Sequence, residues 1–265
     1  MNIIKFETLD STNTYAKSNI ENLADKTVVL TKIQTAGRGR FTRSWVDLGS
    51  ENIYMTIVLK PNNASPASVQ NGAGERPCDA ESSSARRENG FSEVYSNLTQ
   101  YLSIVLCKQL EEIGLKPQIK WPNDVLLNEK KTSGILAETV FRGGSFRGLV
   151  LGIGVNLNVS FDDLDKIDRP ATAVNIELGK SVDRESFLQG LLGKFFENYD
   201  DFLANGFKSI KSEYVKRASF LNQELKVSIF NRIKTGYSKN VDDNGALVLV
   251  DENGILEAIN MGELL

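Results

Sequence analysis

Residues 34–45 read Gln34-Thr35-Ala36-Gly37-Arg38-Gly39-Arg40-Phe41-Thr42-Arg43-Ser44-Trp45, between two apolar runs, Val28 to Ile33 and Ile53 to Leu59. β-formers on both sides of a Gly/Arg-rich segment predict a loop joining two strands. Glycines let backbone N–H groups approach a ligand closely, and guanidinium forks bind carboxylate or phosphate oxygens in pairs. The loop suits an anion, although the same composition also occurs on plain solvated basic turns.

Two further polar constellations follow in the chain. One is Lys120-Trp121-Pro122-Asn123-Asp124 with Lys131 and Ser133-Gly134-Ile135-Leu136-Ala137-Glu138, and the other is Gly152-Ile153-Gly154-Val155-Asn156-Leu157-Asn158. Ser11-Thr12-Asn13 precedes the arginine loop. In this order, over nearly the whole chain, the motifs resemble those of the biotin–protein ligases, also called biotin–[acetyl-CoA-carboxylase] ligases.

The composition narrows the chemistry independently. Histidine is absent, which removes Ser-His-Asp and Cys-His catalysis, HExxH zinc sites and haem ligation by histidine together. Any catalysis runs on Lys, Arg, Asp, Glu, hydroxyls and backbone amides. A 41% hydrophobic, 25% charged chain of 265 residues can hold one large domain and a small one. Its net charge of −3 argues against a general nucleic-acid binder, since basicity is confined to the loop. No apolar run approaches the roughly 20 residues needed to span a bilayer and no signal-peptide layout opens the chain, so a cytoplasmic location and no membrane partner are the default. Cys78 and Cys107 lack CxxC spacing and read as free thiols, Cys107 as packing.

Along the chain, Ile3–Glu7 predicts a strand and Asp10-Ser11-Thr12-Asn13 the cap of a helix to about Leu23. Residues 62–93, poor in large apolar side chains, read as a disordered insertion where the resemblance fails. Val94 to Ile113 has helical periodicity ended by Gly114. Asn128-Glu129-Lys130-Lys131 predicts a hairpin turn that returns Lys131 towards Asp124. Phe146–Val159 predicts a strand whose Gly152-x-Gly154 lets a flat ring lie against bare backbone, or relieves strand packing. Asp162, Asp163, Asp165 and Asp168 lack EF-hand spacing and read as solvated. Gly179-Lys180-Ser181 is no P-loop, because Val174 stands where the first glycine is needed. Arg184 to Lys216 is helical, broken near Asn205-Gly206, and short strands fill Leu225 to Asn260.

The resemblance implies an α+β fold: a mixed β-sheet catalytic domain packed with helices, like class II aminoacyl-tRNA synthetases, over residues 1–218, then a small barrel of Src-homology-3 type over 219–265. It implies biotin and ATP as substrates, with Mg²⁺ on the phosphates, and a biotin carboxyl carrier protein of acetyl-CoA carboxylase or a related carboxylase as partner. Biotin is then bordered by Ser11, Thr12, Asn13, Gln34, Arg38, Gly39, Arg40, Lys131, Gly152 and Gly154, and the nucleotide by Arg40, Arg43, Trp45, Asn123 and Asn156. Arg40 and Lys131 carry charge stabilisation, and Asp124 is expected to accept or steer the incoming amine's proton; no protein metal ligand is expected. With no helix-turn-helix before Met1, repressor function is expected to be missing, and monomer and homodimer stay open. Where Phe41 and Thr42 stand, the family usually carries a further Arg or Gly, a departure that bears on loop closure rather than chemistry. Alternatives are a lipoate–protein ligase or octanoyltransferase, a non-catalytic biotin or nucleotide sensor, and an RNA-binding module; the Gly-Arg-Gly-Arg motif and the lack of histidine weigh against the first pair, Arg40, Asp124 and Lys131 together against the sensor, and the acidic balance against the RNA binder.

Overall fold

The computed structural model describes residues 2–41, 43–61, 94–230 and 232–265. The expected insertion at 62–93 and Cys78 lie outside them. Chain order begins β1 (Asn2–Leu9), α1 (Thr12–Ser18), β2 (Thr27–Gln34), β3 (Ile53–Leu59), α2 (Leu98–Glu112), β4 (Gln118–Lys120), β5 (Asp124–Leu127), β6 (Lys130–Arg142) and β7 (Ser145–Val155). These strands form one seven-stranded mixed sheet in the order β1-β2-β3-β7-β6-β5-β4. β1 and β2 are parallel and joined through α1, as a parallel pair requires a crossover; the other described pairings are antiparallel.

β3 is buried along its whole length because both of its faces are covered. Ile53, Met55, Ile57 and Leu59 point into the main core with α2 and the later helices, whereas Val58 joins Ala16, Ile20 and Leu23 beside α1. The period-two alternation of a strand thus supplies two cores from one apolar run. Past β7 come α3 (Phe161–Leu164), α4 (Val174–Leu178), α5 (Arg184–Glu197), α6 (Tyr199–Asn205), a 3₁₀ turn (Phe207–Ser209) and α7 (Lys211–Lys216).

Several boundaries differ from expectation. The first helix ends at Ser18 rather than near Leu23, because Asn19 caps it and donates its side-chain amide to Tyr15 O at 2.9 Å, a local bond that competes with continuation. β7 ends at Val155, not Val159, since Asn156 leaves the ladder to bond the 172–174 segment. The helical stretch from Arg184 breaks at Asn198 as well as at Gly206.

The C-terminal strands β8 (Glu224–Ile229), β9 (Arg232–Val241), β10 (Leu247–Val250), β11 (Leu256–Ile259) and β12 (Glu263–Leu264) form an antiparallel sheet ordered β11-β10-β9-β8-β12. Its two edges, β11 and β12, are consecutive in the chain and only residues 260–262 separate them, so the sheet must curl. Among the described residues no ladder joins β11 to β12, so the expected barrel is here an open, curled sheet. Val227, Val241, Leu247, Ile259 and Leu264 belong to the same hydrophobic cluster as α2 and the large sheet. Across that junction Ile119 N donates to Arg217 O at 2.7 Å, and Ser219 N to Ile119 O at 2.9 Å. Trp121 Nε1 donates to Gly245 O at 3.3 Å and the Tyr214 hydroxyl to Pro122 O at 3.1 Å, so the C-terminal sheet and α7 buttress the Trp-Pro-Asn-Asp turn from behind.

Candidate active site

A cleft opens over the middle of the large sheet. Its walls come from the start of α1, the loop after β2, the β4–β5 turn, Lys131 and Gly134–Leu136 on β6, Gly152–Gly154 on β7, Arg169 and Glu263. Residues scattered from position 11 to position 263 meet there because the sheet order sets β3, β7 and β6 side by side and the connections cluster at one end.

The arginine loop folds back on itself. Trp45 N donates to Gly37 O at 2.9 Å, Gly39 N to Arg43 O at 2.8 Å, and Arg38 pairs with Ser44 as an isolated antiparallel bridge. A Cβ on Gly37 would lie 2.5 Å from Trp45 O, so this crossing requires glycine. Arg38, Arg40 and Arg43 all line the cleft, and Phe41 is exposed at the tip with φ +57°.

The flat ring against the glycines is the chain's own. The Trp45 indole lies across Gly134 and Gly154, a register pair on β6 and β7, and a Cβ on Gly154 would come within 2.4 Å of it. Gly152 is likewise covered: an added Cβ would stand 2.1 Å from Asn13 Oδ1. The expectation of bare backbone awaiting a ligand ring is corrected accordingly, although both glycines border the cleft. Trp45 Nε1, shielded from solvent, meets no acceptor among the described residues.

One wall is polar and buried. Thr12 N donates to Gln34 Oε1 at 2.9 Å, and the Thr56 hydroxyl lies 2.8 Å from that of Thr12 and 2.6 Å from Asn13 Oδ1. Gln34 N in turn donates to Asp47 Oδ2 at 2.6 Å. Ser11 caps α1, its hydroxyl accepting from Thr14 N at 3.5 Å.

The opposite wall is charged. Lys131 Nζ stands 2.7 Å from Asp124 Oδ1 and 5.6 Å from the centre of the Trp45 ring, as the β5–β6 hairpin predicts. Asn128 and Glu129, at φ +47° and +63°, make its turn. Arg40 donates to Asn123 Oδ1 at 3.4 Å, while Asn123 Nδ2 donates to Ile135 O, fixing that amide's orientation. Arg43 pairs with Glu263 of β12.

Six cations, Arg38, Arg40, Arg43, Lys120, Lys131 and Arg169, face two cleft carboxylates, Asp124 and Glu263. A locally positive cleft thus sits in a net acidic chain. Burial, with Asp124 opposing and Arg43 adding to it, holds the Arg40 guanidinium below its usual pKa. Burial does the same to Lys120, opposed by Asp124 and reinforced by Lys131, Arg43 and Arg169. Among the described residues neither Arg40 nor Lys120 is ion-paired to a carboxylate, which leaves both available to an anion.

The structure does not bring Asn156 to the cleft. Its side-chain amide donates to Thr172 O at 3.1 Å, and its backbone carbonyl accepts from Val174 N. Sequence reading missed Lys120, Arg169, Glu138 and Glu263. Lys120 and Glu138 stood inside quoted motifs without a role. Arg169 and Glu263 carried no local signal, and reach the site only because Lys131 N donates to Pro170 O, Thr172 N to Lys131 O, and β12 pairs with β8.

A cleft that joins a cationic hairpin, a lysine–carboxylate pair and a buried polar wall suits the joining of two anions. Comparison with known proteins agrees: the profile of the Biotin/lipoate A/B protein ligase family matches residues 5–73 and 84–156, and the chain belongs to that family. It is 31% identical over 250 residues to the biotin–[acetyl-CoA-carboxylase] ligase of Paracoccus denitrificans, covering 91% of this chain and 90% of that one. It is 29% identical to the bifunctional ligase/repressor BirA of Bacillus spizizenii over 88% of this chain, which spans 64% of that protein's length. The solved biotin protein ligase of Aquifex aeolicus in complex with biotin and ATP superposes with a TM-score of 0.76 at 27% identity, covering 100% of this chain and 97% of that one.

Proposed function

We propose that this chain is a biotin–protein ligase. It joins the biotin carboxylate to the α-phosphate of ATP, giving biotinyl-5′-AMP and pyrophosphate, and then passes the biotinyl group to a lysine amine of a biotin carboxyl carrier protein. The observation that carries the reading is the convergence of Arg38, Arg40, Arg43 and Lys131 with the buried wall of Ser11, Thr12, Asn13 and Gln34 on one cleft.

The first step brings two anions together, so preorganised cations stabilise the charge on the oxygens between them. Lys131, held by Asp124, and Arg40, which pairs with no carboxylate among the described residues, supply it. Arg43, Lys120 and Arg169 lie farther round the cleft as a cationic rim for the departing pyrophosphate. Hydroxyl and amide groups that donate and accept face biotin's ureido end. The Trp45 N–H, which meets no acceptor among the described residues, supports a ligand acceptor beneath the hairpin. In the second step Asp124 is the carboxylate that receives or steers the amine's proton.

Among the described residues no group of three His, Cys, Asp or Glu side chains could hold a metal. Magnesium would enter with ATP and neutralise phosphate charge, and no step here runs through it. Residues 219–265 are assigned as a small unit of Src-homology-3 type whose Glu263 completes the rim. The acceptor is the carrier protein of acetyl-CoA carboxylase or a related carboxylase, and the setting is the cytoplasm. Among the described residues no helix is long and apolar enough to cross a membrane.

Lipoate ligation is the rival reading, because the family includes it. A wall built to hydrogen-bond a ureido group rejects acids lacking one, since its buried polar atoms are left unpaired. Biotin-dependent exchange of pyrophosphate into ATP, followed by a mass increase on a carrier-domain lysine, tests the proposal; comparable exchange with lipoate refutes it.

A further inference from the structure

Glu138 belongs to none of the roles above, yet three donors converge on it. Its side chain is 16% exposed, and Lys17 Nζ approaches Oε1 at 2.7 Å, Arg38 the same oxygen at 3.3 Å, and Asn13 Nδ2 the other at 3.0 Å. Burial would push its carboxyl up, but the hydrogen bonds from Lys17 and Asn13 and the charges of Lys17 and Arg38 hold it below the usual carboxylate range. Glu138 is therefore an acceptor only.

That restriction propagates. Asn13 must present its NH₂ to Glu138, so its carbonyl oxygen faces Thr56. The oxygen can only accept, which commits the Thr56 proton to it at 2.6 Å, and the Thr12 hydroxyl, 2.8 Å from that of Thr56, has Gln34 Oε1 at 3.3 Å as a second acceptor for its own proton. Leu136 O accepts from the same Asn13 Nδ2 at 3.3 Å, so the carboxylate and this carbonyl together fix the polarity of Asn13 and, through it, of Thr56, while Gln34 Oε1 accepts from the Thr12 backbone N–H. The same carboxylate reaches across to Arg38 at the base of the arginine hairpin, while Lys17 on α1 keeps it compensated when that contact opens.

We propose that Glu138 is a positioning residue for biotin recognition: with Leu136 O it holds Asn13 and through it Thr56, and it clips the arginine hairpin over the cleft through Arg38. The inference rests on the biotin reading for its first part and on geometry alone for its second.

Glu138→Gln keeps the shape, loses the charge and can donate as well as accept. Its biotin KM in pyrophosphate exchange should rise at least tenfold with kcat within about threefold, the signature of lost binding rather than lost chemistry. In the ligand-free protein, amide hydrogen exchange at Gly39 and Trp45 should quicken, because the hairpin's clip is gone. Glu138→Asp, which keeps the charge on a shorter arm, should recover part of both. Should Glu138→Gln fail to fold, Arg38→Gln removes the clip from the exposed side and should quicken the same amides. Unchanged hairpin exchange in the folded Glu138→Gln protein, or in Arg38→Gln, overturns the clip. An unchanged KM for Glu138→Gln overturns the hold on Asn13. Absence of any biotin-dependent exchange in the unsubstituted chain would instead refute the biotin reading, and the hairpin measurement would still decide the clip.

Discussion

Gly152→Ala and Gly154→Ala place the same methyl group on the same face of β7, two residues apart, and the structure predicts opposite phenotypes. Neither glycine has a positive φ, so alanine is compatible with the backbone at both, and restriction of the unfolded chain stabilises each variant by about 0.4–1 kcal/mol. What the methyl meets differs. At 152 it would stand 2.1 Å from Asn13 Oδ1 and 2.8 Å from Asn13 Cγ. Asn13 is 4% exposed and anchored at both ends, by Thr56 and by Glu138. It cannot yield without losing one neutral and one charged hydrogen bond, about 0.5–1.5 and 1.5–3 kcal/mol respectively. The net cost is about 1–4 kcal/mol, and at about 2–4 °C per kcal/mol for a chain of this size Tm should fall by about 2–16 °C. At 154 the obstacle is the Trp45 indole at 2.4 Å, carried on a half-exposed hairpin that can swing outward. Relief by hairpin movement keeps the cost below about 1 kcal/mol, under the 1–3 kcal/mol of overpacking a closed core. Gly154→Ala should therefore melt within about 3 °C of wild type, yet lose pyrophosphate exchange at least tenfold. Its tryptophan emission should shift to the red as Trp45 enters water, against a constant background from the buried Trp121. Calorimetry, fluorescence and exchange on the two variants form the assay. Equal melting temperatures, or a Gly154→Ala protein with unshifted emission, would refute the reasoning.

Lys131→Ala removes a cation 2.7 Å from Asp124 on a partly exposed wall, so Tm should hardly move while the adenylation rate falls by about two orders of magnitude or more in single-turnover measurements. A loss confined to biotin affinity would move Lys131 out of the transition state. Arg40→Ala deletes a cation that pairs with no carboxylate among the described residues, and should weaken retention of the adenylate so that activated biotin labels bystander lysines; release no greater than wild type would contradict it. The Glu138 carboxyl is depressed below its ordinary value of 4.5 in the folded chain, so its stabilisation is fully present above that pH and is lost as pH falls through the folded pKa. The Tm difference between wild type and Glu138→Gln should be constant near neutrality and shrink only below about pH 4.5. A difference that already shrinks between pH 8 and 6 would assign it to another group.

The amino-acid order alone determined the strand–loop–strand at 28–59, the hairpin that returns Lys131 to Asp124, and the apolar face of α2, because each is written in contiguous periodicity or turn chemistry. Local composition likewise made the arginine loop cationic. Tertiary structure decided what that order could not carry. Asn156, in a motif among glycines that line the cleft, turns away because the end of β7 must satisfy the 172–174 segment. Gly152 and Gly154 look alike in sequence, yet one accommodates Asn13 from α1 and the other Trp45 from the hairpin. Arg169 and Glu263 enter the cleft only through a bridge to Lys131 and through the edge pairing of β12 with β8. Glu138 gains its three donors from α1, from the arginine hairpin and from its own strand's position between β5 and β7. Such contacts join residues from 16 to more than 120 positions apart, and no periodicity encodes them. They follow from sheet order, which is set by how the apolar faces of all the elements bury together.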